Sequence, residues 1–192
     1  MRMIMSKMRW MLAALFLCAY TGAALAQADK PAERHSVNET LEKRLGGVEK
    51  LLLGVADVMP ADKYSFAPTN GEFRGVRNFA KQLKHVAAVH YIIGAAILGE
   101  PPPADAADER GPDAVKTKDE VTKYLKDSLA YLHKAVATID EKNLLEPIKS
   151  PFGQGAETRL GLVMGALAHS SNHYGQMVEY LRMNGVIPPA SQ

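Results

Sequence analysis

Cysteine is almost missing from this chain of 192 residues: Cys18 is the only one. It sits inside an apolar run near the N-terminus, and the residue before it, Leu17, is too large for a lipoprotein signal. The folded part is therefore expected to hold no disulfide and no thiolate nucleophile. No block of Lys and Arg stands outside the N-terminus, so nothing argues for nucleic acid. Several motifs are missing too. Without CxxCH there is no covalent haem, and without HExxH there is no ordinary zinc-protease helix. No Glu lies three residues before any histidine, which removes the carboxylate-bridged di-iron bundle. Neither a GxSxG elbow nor a glycine-rich phosphate loop is present.

What is there begins with a leader. Arg2, Lys7 and Arg9 form a basic start, Met11 to Ala24 is nearly uninterrupted apolar sequence, and Ala24-Leu25-Ala26 offers small residues to a signal peptidase. Residues 1–26 are read as a cleavable signal peptide, so the protein is expected to be exported, periplasmic or secreted. The alternative is an uncleaved membrane anchor; the run is short for a span of ~20 residues and the Ala-x-Ala site favours removal, after which no membrane association is expected. Of the 23 basic and 21 acidic residues the leader takes three basic ones, leaving 20 against 21 and a net charge of −1.

The remainder reads as a flexible arm, 27–36, and one domain, 37–192. Ser36 and Glu39 have capping-box spacing, and Leu41, Leu45, Val48, Leu52 and Val55 then recur at steps of four and three. That pattern predicts a helix over 37–58, stopped by Pro60. Residues 60–72 form a turn-rich connection that Tyr64 and Phe66 pin to the core. A second helix is expected over 73–98. Residues 99–116 open with three prolines and cannot be regular; a solvated excursion is expected, with a lid over a site as the alternative. Thr117 and Glu120 make a second capping box before a third apolar stripe, Val121 to Ile139. Residues 140–155 read as irregular. A fourth helix is expected over 157–184, with Gly185 as its cap and Pro188-Pro189 forbidding continuation. No strand pattern appears, so the fold class is all-α, a four-helix bundle preceded by a cleavable signal peptide.

The stretch that carries chemistry is HSSNHYGQMVEYLRMNG, 169–185. His169 and His173 are four apart, so both rings leave one helix face one turn apart. Two imidazoles leave a metal ion under-coordinated. The candidate third ligand is His85, on the second helix beside Gln82, Val89 and Ile92 in register. In an up-down bundle the second and fourth helices point the same way. At 1.5 Å per residue the three histidines would then lie roughly 18–24 Å from the same end. Three neutral imidazoles with open positions form a reactive site, and the ion supplies Lewis acidity that side chains lack. Imidazole suits zinc, nickel and iron, so the spacing does not name the metal. Asn172, Gln176 and Tyr180 flank the pair as candidates to orient a ligand ring. His90 is expected in the core or behind a ligand, and His35 and His133 at the periphery.

MPADKYSFAPT at 59–69, QLKHVA at 82–87 and HSSNHYGQMVEYLRMNGVIPPAS at 169–191 resemble the DinB-like (DinB/YfiT-like) family of four-helix-bundle metalloproteins. The resemblance spans about 37–190. It implies one histidine ligand on the second helix and two, four apart, on the fourth; these fall on His85, His169 and His173. It also implies a divalent metal cofactor and, in characterised relatives, thiol-dependent transfer or isomerisation. Export argues against a small-thiol cofactor here, because such thiols belong to the reducing cytosol.

Three readings of function follow. One is a metal-dependent hydrolase or transferase acting on a small molecule through the three histidines. The second is a non-catalytic periplasmic protein that binds metal or a small ligand, as in stress responses. The third is a purely structural bundle or homodimer with the histidines satisfied in the core. A solvent-connected site favours the first and a sealed one the second. Exposed bundle faces leave room for a homodimer.

Overall fold

The computed structural model describes residues 35–106 and 108–191. The expected signal peptide at 1–26 and residues 27–34 of the expected arm lie outside the described residues. Among the described residues four α-helices carry the structure: α1 Val37–Val58, α2 Phe79–Leu98, α3 Lys118–Val136 and α4 Arg159–Met183. Among the described residues no helix is long and apolar enough to cross a membrane.

The starts of α1 and α3 are set by reciprocal caps. The Ser36 hydroxyl accepts from the Glu39 N–H at 3.1 Å while the Ser36 N–H donates back to the Glu39 carboxylate at 2.8 Å. Thr117 and Glu120 repeat the exchange. Each pairing satisfies orphan donors of a first turn and stabilises by about 1 kcal/mol. Helix α2 starts later than its apolar pattern suggests. Val76 continues the stripe backwards, but Asn78 accepts from the Lys81 N–H at 2.9 Å and makes Phe79 the first helical residue. At the far end Gly99 takes φ +73°, and the Glu100 N–H returns to the Ala95 carbonyl. Gly185, at φ +71°, ends α4 in the same manner, with the Val186 N–H on the Leu181 carbonyl.

Helix directions follow from the contacts at their ends. Asn38, at the start of α1, donates to the Val136 carbonyl at the end of α3; Lys118, at the start of α3, reaches the Met59 carbonyl just past α1. These two helices are antiparallel. Helices α2 and α3 are parallel: His90 meets Ser128, and four residues on Gly94 lies against Tyr131. Helices α2 and α4 are antiparallel, because Arg77, Gln82 and His85 meet Tyr180, Gln176 and His169 in turn. The order is up, down, down, up. This corrects the expectation that α2 and α4 point the same way. A common height measured from their starts is therefore not what brings the histidines together; the residues early in α2 meet the middle and late part of α4.

Parallel neighbours require a crossover, and residues 99–117 supply it. Most of its described residues are exposed, as expected of a solvated excursion, but the segment is also pinned to the bundle. Ala106 is buried, the Lys84 ammonium donates to the Pro112 and Val115 carbonyls at 2.7 and 3.2 Å, and Gly111 at φ +69° sits against Lys84 and Tyr124. Residues 140–158 also hold a structure that the sequence pattern misses. Strands β1 Pro147–Lys149 and β2 Ala156–Thr158 pair antiparallel, with Ile148 opposite Glu157.

Between the helices lies one core, including Leu45, Leu52, Leu83, Leu125, Leu129 and Met177, each at most 1% exposed. Burial of such a side chain contributes roughly 1.5–3 kcal/mol. Tyr64 ties the first connection to it: its hydroxyl donates to the Ala56 carbonyl at 2.6 Å and its ring meets Phe79 edge-on. Phe66 packs edge-on against Tyr180.

Candidate metal centre

Helix α2 brings His85 to the point where α4 presents His169 and His173. The ring centroids are 4.5 to 4.9 Å apart, and one nitrogen from each ring lies within 4.8 Å of the others. The Nε2 atoms of His85 and His169 are 3.0 Å apart. His85 and His173 are buried and His169 is half-buried.

The outer nitrogens decide what the inner ones offer. Nδ1 of His85 stands 2.7 Å from the Glu109 carbonyl, and Nδ1 of His173 stands 2.6 Å from the Gln82 side-chain oxygen. Both partners are pure acceptors, so both Nδ1 atoms carry hydrogen and both Nε2 atoms keep a lone pair. Nδ1 of His169 is buried and has no hydrogen-bond partner among the described residues.

Burial sets the protonation state. Desolvation lowers the pKa of His85, against a raising contribution from the Glu109 carbonyl. His169 is lowered to about 4, by burial first and then by His85 and Arg77. His173 is lowered to about 3, by burial first and then by the two neighbouring histidines. All three are neutral at pH 7, which is the form that ligates metal. Two lone pairs fixed by acceptors behind, on His85 and His173, and a third neutral imidazole, His169, whose Nε2 stands 3.0 Å from the Nε2 of His85 and becomes a donor to a metal once it gives up its proton, are the donor set of an open zinc-type site. The residues present fit a divalent ion.

The flanking candidates divide. Gln176 accepts from Gln82 at 2.8 Å and donates to Asn172 at 3.3 Å, so both belong to the chain of amides behind His173. Tyr180 does not support a ligand ring: its hydroxyl donates to the Arg77 carbonyl at 3.0 Å and steadies the approach to α2. Sequence reasoning missed two supports. Gln82 lies three residues before His85 on the same helix face, a signal that was legible. The Glu109 carbonyl had none, since a backbone oxygen is contributed by any residue, here one at φ +60°.

His90 lies deeper. It is fully buried between Ser170 Oγ, 2.8 Å from Nε2, and Ser128 Oγ, 3.3 Å from Nδ1. Ser128 donates its own proton to the Leu125 carbonyl, so it accepts from His90 Nδ1–H, and Ser170 donates to Nε2. His90 is thus a satisfied core histidine, with its pKa pushed down to about 3 by burial. His133 is half-buried between Glu42 and Glu49, and His35 is exposed.

The model of one family, described as the DinB superfamily, matches residues 44–177. The chain belongs to the DinB superfamily. DinB-like proteins are metal-binding in general, and the three-histidine group agrees with that. Two solved structures share the DinB fold. A DinB-like protein from Bacillus cereus ATCC 10987 is 15% identical, with a TM-score of 0.65 over 80% of this chain and 96% of its own. A conserved protein from Enterococcus faecalis is 16% identical, with a TM-score of 0.60 over 78% of this chain and 97% of its own. No protein of curated function matches the chain.

Proposed function

We propose that this DinB superfamily member holds a divalent ion, zinc, nickel or iron, on His85, His169 and His173 and uses it as a hydrolase or transferase toward a small molecule. The observation that carries the reading is the convergence of three neutral imidazoles within 4.8 Å. A divalent ion there supplies Lewis acidity to a donor atom of the substrate. Gln82 and the Glu109 carbonyl hold two rings in the tautomer that offers Nε2. His169 lines a cavity of about 340 Å³ open to solvent, which favours turnover over sequestration. The protein acts, on this reading, outside the cytosol after cleavage behind Ala26.

The test is elemental analysis of protein purified from its native compartment, beside His169→Ala. The expected result is about one divalent ion per chain, lost in the variant. Equal metal in both, or none in either, overturns the assignment. N-terminal sequencing of the same sample checks export: a mature start at Gln27 supports it, and a retained Met1 opposes it.

A further inference from the structure

The faces that carry the histidines do not stop there. On α4, Gly161, Gly165, His169 and His173 follow at steps of four. On α2, His85, Val89 and Ile93 do the same. Residues at steps of four share a helix face. Because α2 and α4 are antiparallel, Val89 and Ile93 lie beside Gly165 and Gly161 just beyond the histidines, and they line the same cavity of about 340 Å³ with Leu162, Phe152 and His169. A Cβ built at Gly165 meets nothing within 4 Å. A second cavity, about 630 Å³, shares Phe152 and Glu109 with the first. It continues along α2 past Ile92 and Ala96 toward Lys149 and Arg159. Phe152, at the turn between β1 and β2 and 49% exposed, stands where the two meet.

The trough has the size of a small-molecule site and not of a docking groove for a helix about 10 Å wide. Its inner floor is apolar: Val89, Ile93 and Leu162 are all at most 4% exposed. Besides His169, the ionisable residues lining the inner chamber are both acidic, Glu109 and Glu157, which opposes an anionic body. Gly165 leaves backbone where a side chain would fill the path, whereas a Cβ at Gly161 would already meet the Glu157 carboxylate at 3.0 Å. The geometry points to a subsite for an unbranched, uncharged apolar substituent of a small molecule whose head reaches the ion at His85, His169 and His173. Gly165 and Phe152 set the width and length admitted. The inference rests on the metal reading and adds to it a class of substrate.

The probe is a series of linear alkyl hydroxamates, from acetohydroxamate to decanohydroxamate, titrated calorimetrically into the zinc-loaded full chain. The hydroxamate takes the metal and the alkyl chain explores the trough. Affinity is expected to rise by about threefold to fourfold per methylene until the inner chamber is filled. In Gly165→Leu that rise disappears, while affinity for zinc and for acetohydroxamate stays that of the wild type. Phe152→Ala, at an exposed turn outside the core, is the second variant; it keeps the short homologues' affinity and loses the gain of the long ones. A flat series on zinc-loaded wild type, or an unchanged rise in both variants, overturns the trough and leaves the metal site standing. Failure of the wild type to take up zinc, nickel or iron overturns the metal reading and this inference together.

Discussion

The side-chain oxygen of Gln82 lies 2.6 Å from Nδ1 of His173, and its amide nitrogen lies 2.8 Å from the Gln176 oxygen. One residue thereby fixes both the tautomer of a ligand ring and the link from α2 to α4. Removing it frees the ring to rotate and to switch its proton.

Gln82→Ala is therefore expected to weaken metal affinity by about ten- to a hundredfold, the usual range for a residue supporting a ligand. Gln82→Glu, which keeps an acceptor there, is expected to retain more affinity than the alanine variant. Competition titration against a chelator measures both. Equal affinities for wild type and alanine variant would remove Gln82 from the site.

Metal removal is expected to lower stability by mass action. With free ion at about a hundred times Kd, the loaded form gains about 2.7 kcal/mol over the stripped one. Calorimetric melting before and after chelation reads this as a Tm shift. That shift should be absent in His169→Ala.

The stripped protein is expected to lose stability in acid through His90. Its folded pKa of about 3 lies below the ordinary 6.5, so the unfolded chain takes up a proton that the folded one refuses. The contribution is whole above pH 6.5 and declines toward pH 3, by up to about 1.4 kcal/mol per pH unit. Urea unfolding across that window should show a shallower slope in His90→Gln than in the parent. Identical slopes would mean that His90 is not held neutral.

Gly111→Ala is expected to destabilise by about 1–3 kcal/mol and to weaken metal binding as well. The residue needs φ +69°, and a Cβ there would stand 3.2 Å from the Lys84 carbonyl and 3.1 Å from the Tyr124 ring. The crossover it anchors also supplies the Glu109 carbonyl to His85. Denaturation and zinc titration of one sample separate the two effects. Gly94→Ala is the control: its Cβ would meet the Tyr131 ring at 2.8 Å, so stability should fall while zinc affinity holds.

Much of this molecule is legible in its sequence. Ser36 with Glu39 and Thr117 with Glu120 are local signals, and they placed two helix starts at the residues where the caps form. The four-residue step from His169 to His173 gave a shared face for the same local reason. What failed was long-range. The direction of α2 relative to α4 depends on the path of residues 99–117, and periodicity says nothing of path. The length of that segment was the available hint, since antiparallel neighbours need only short loops. The small hairpin escaped because three-residue strands, Pro147–Lys149 and Ala156–Thr158, are too short to display alternation. Tyr180 misled because its place near the histidine pair in sequence lies a turn or more along α4, beside Arg77.

The crossover holds His85 by a main-chain oxygen, and a main-chain oxygen carries no residue identity. Substitutions along that segment leave the clasp on the ring intact wherever the route of the chain persists. The support of this ligand is inherited as shape, so an alphabet-level comparison of descendants would overlook it while their superposed backbones displayed it.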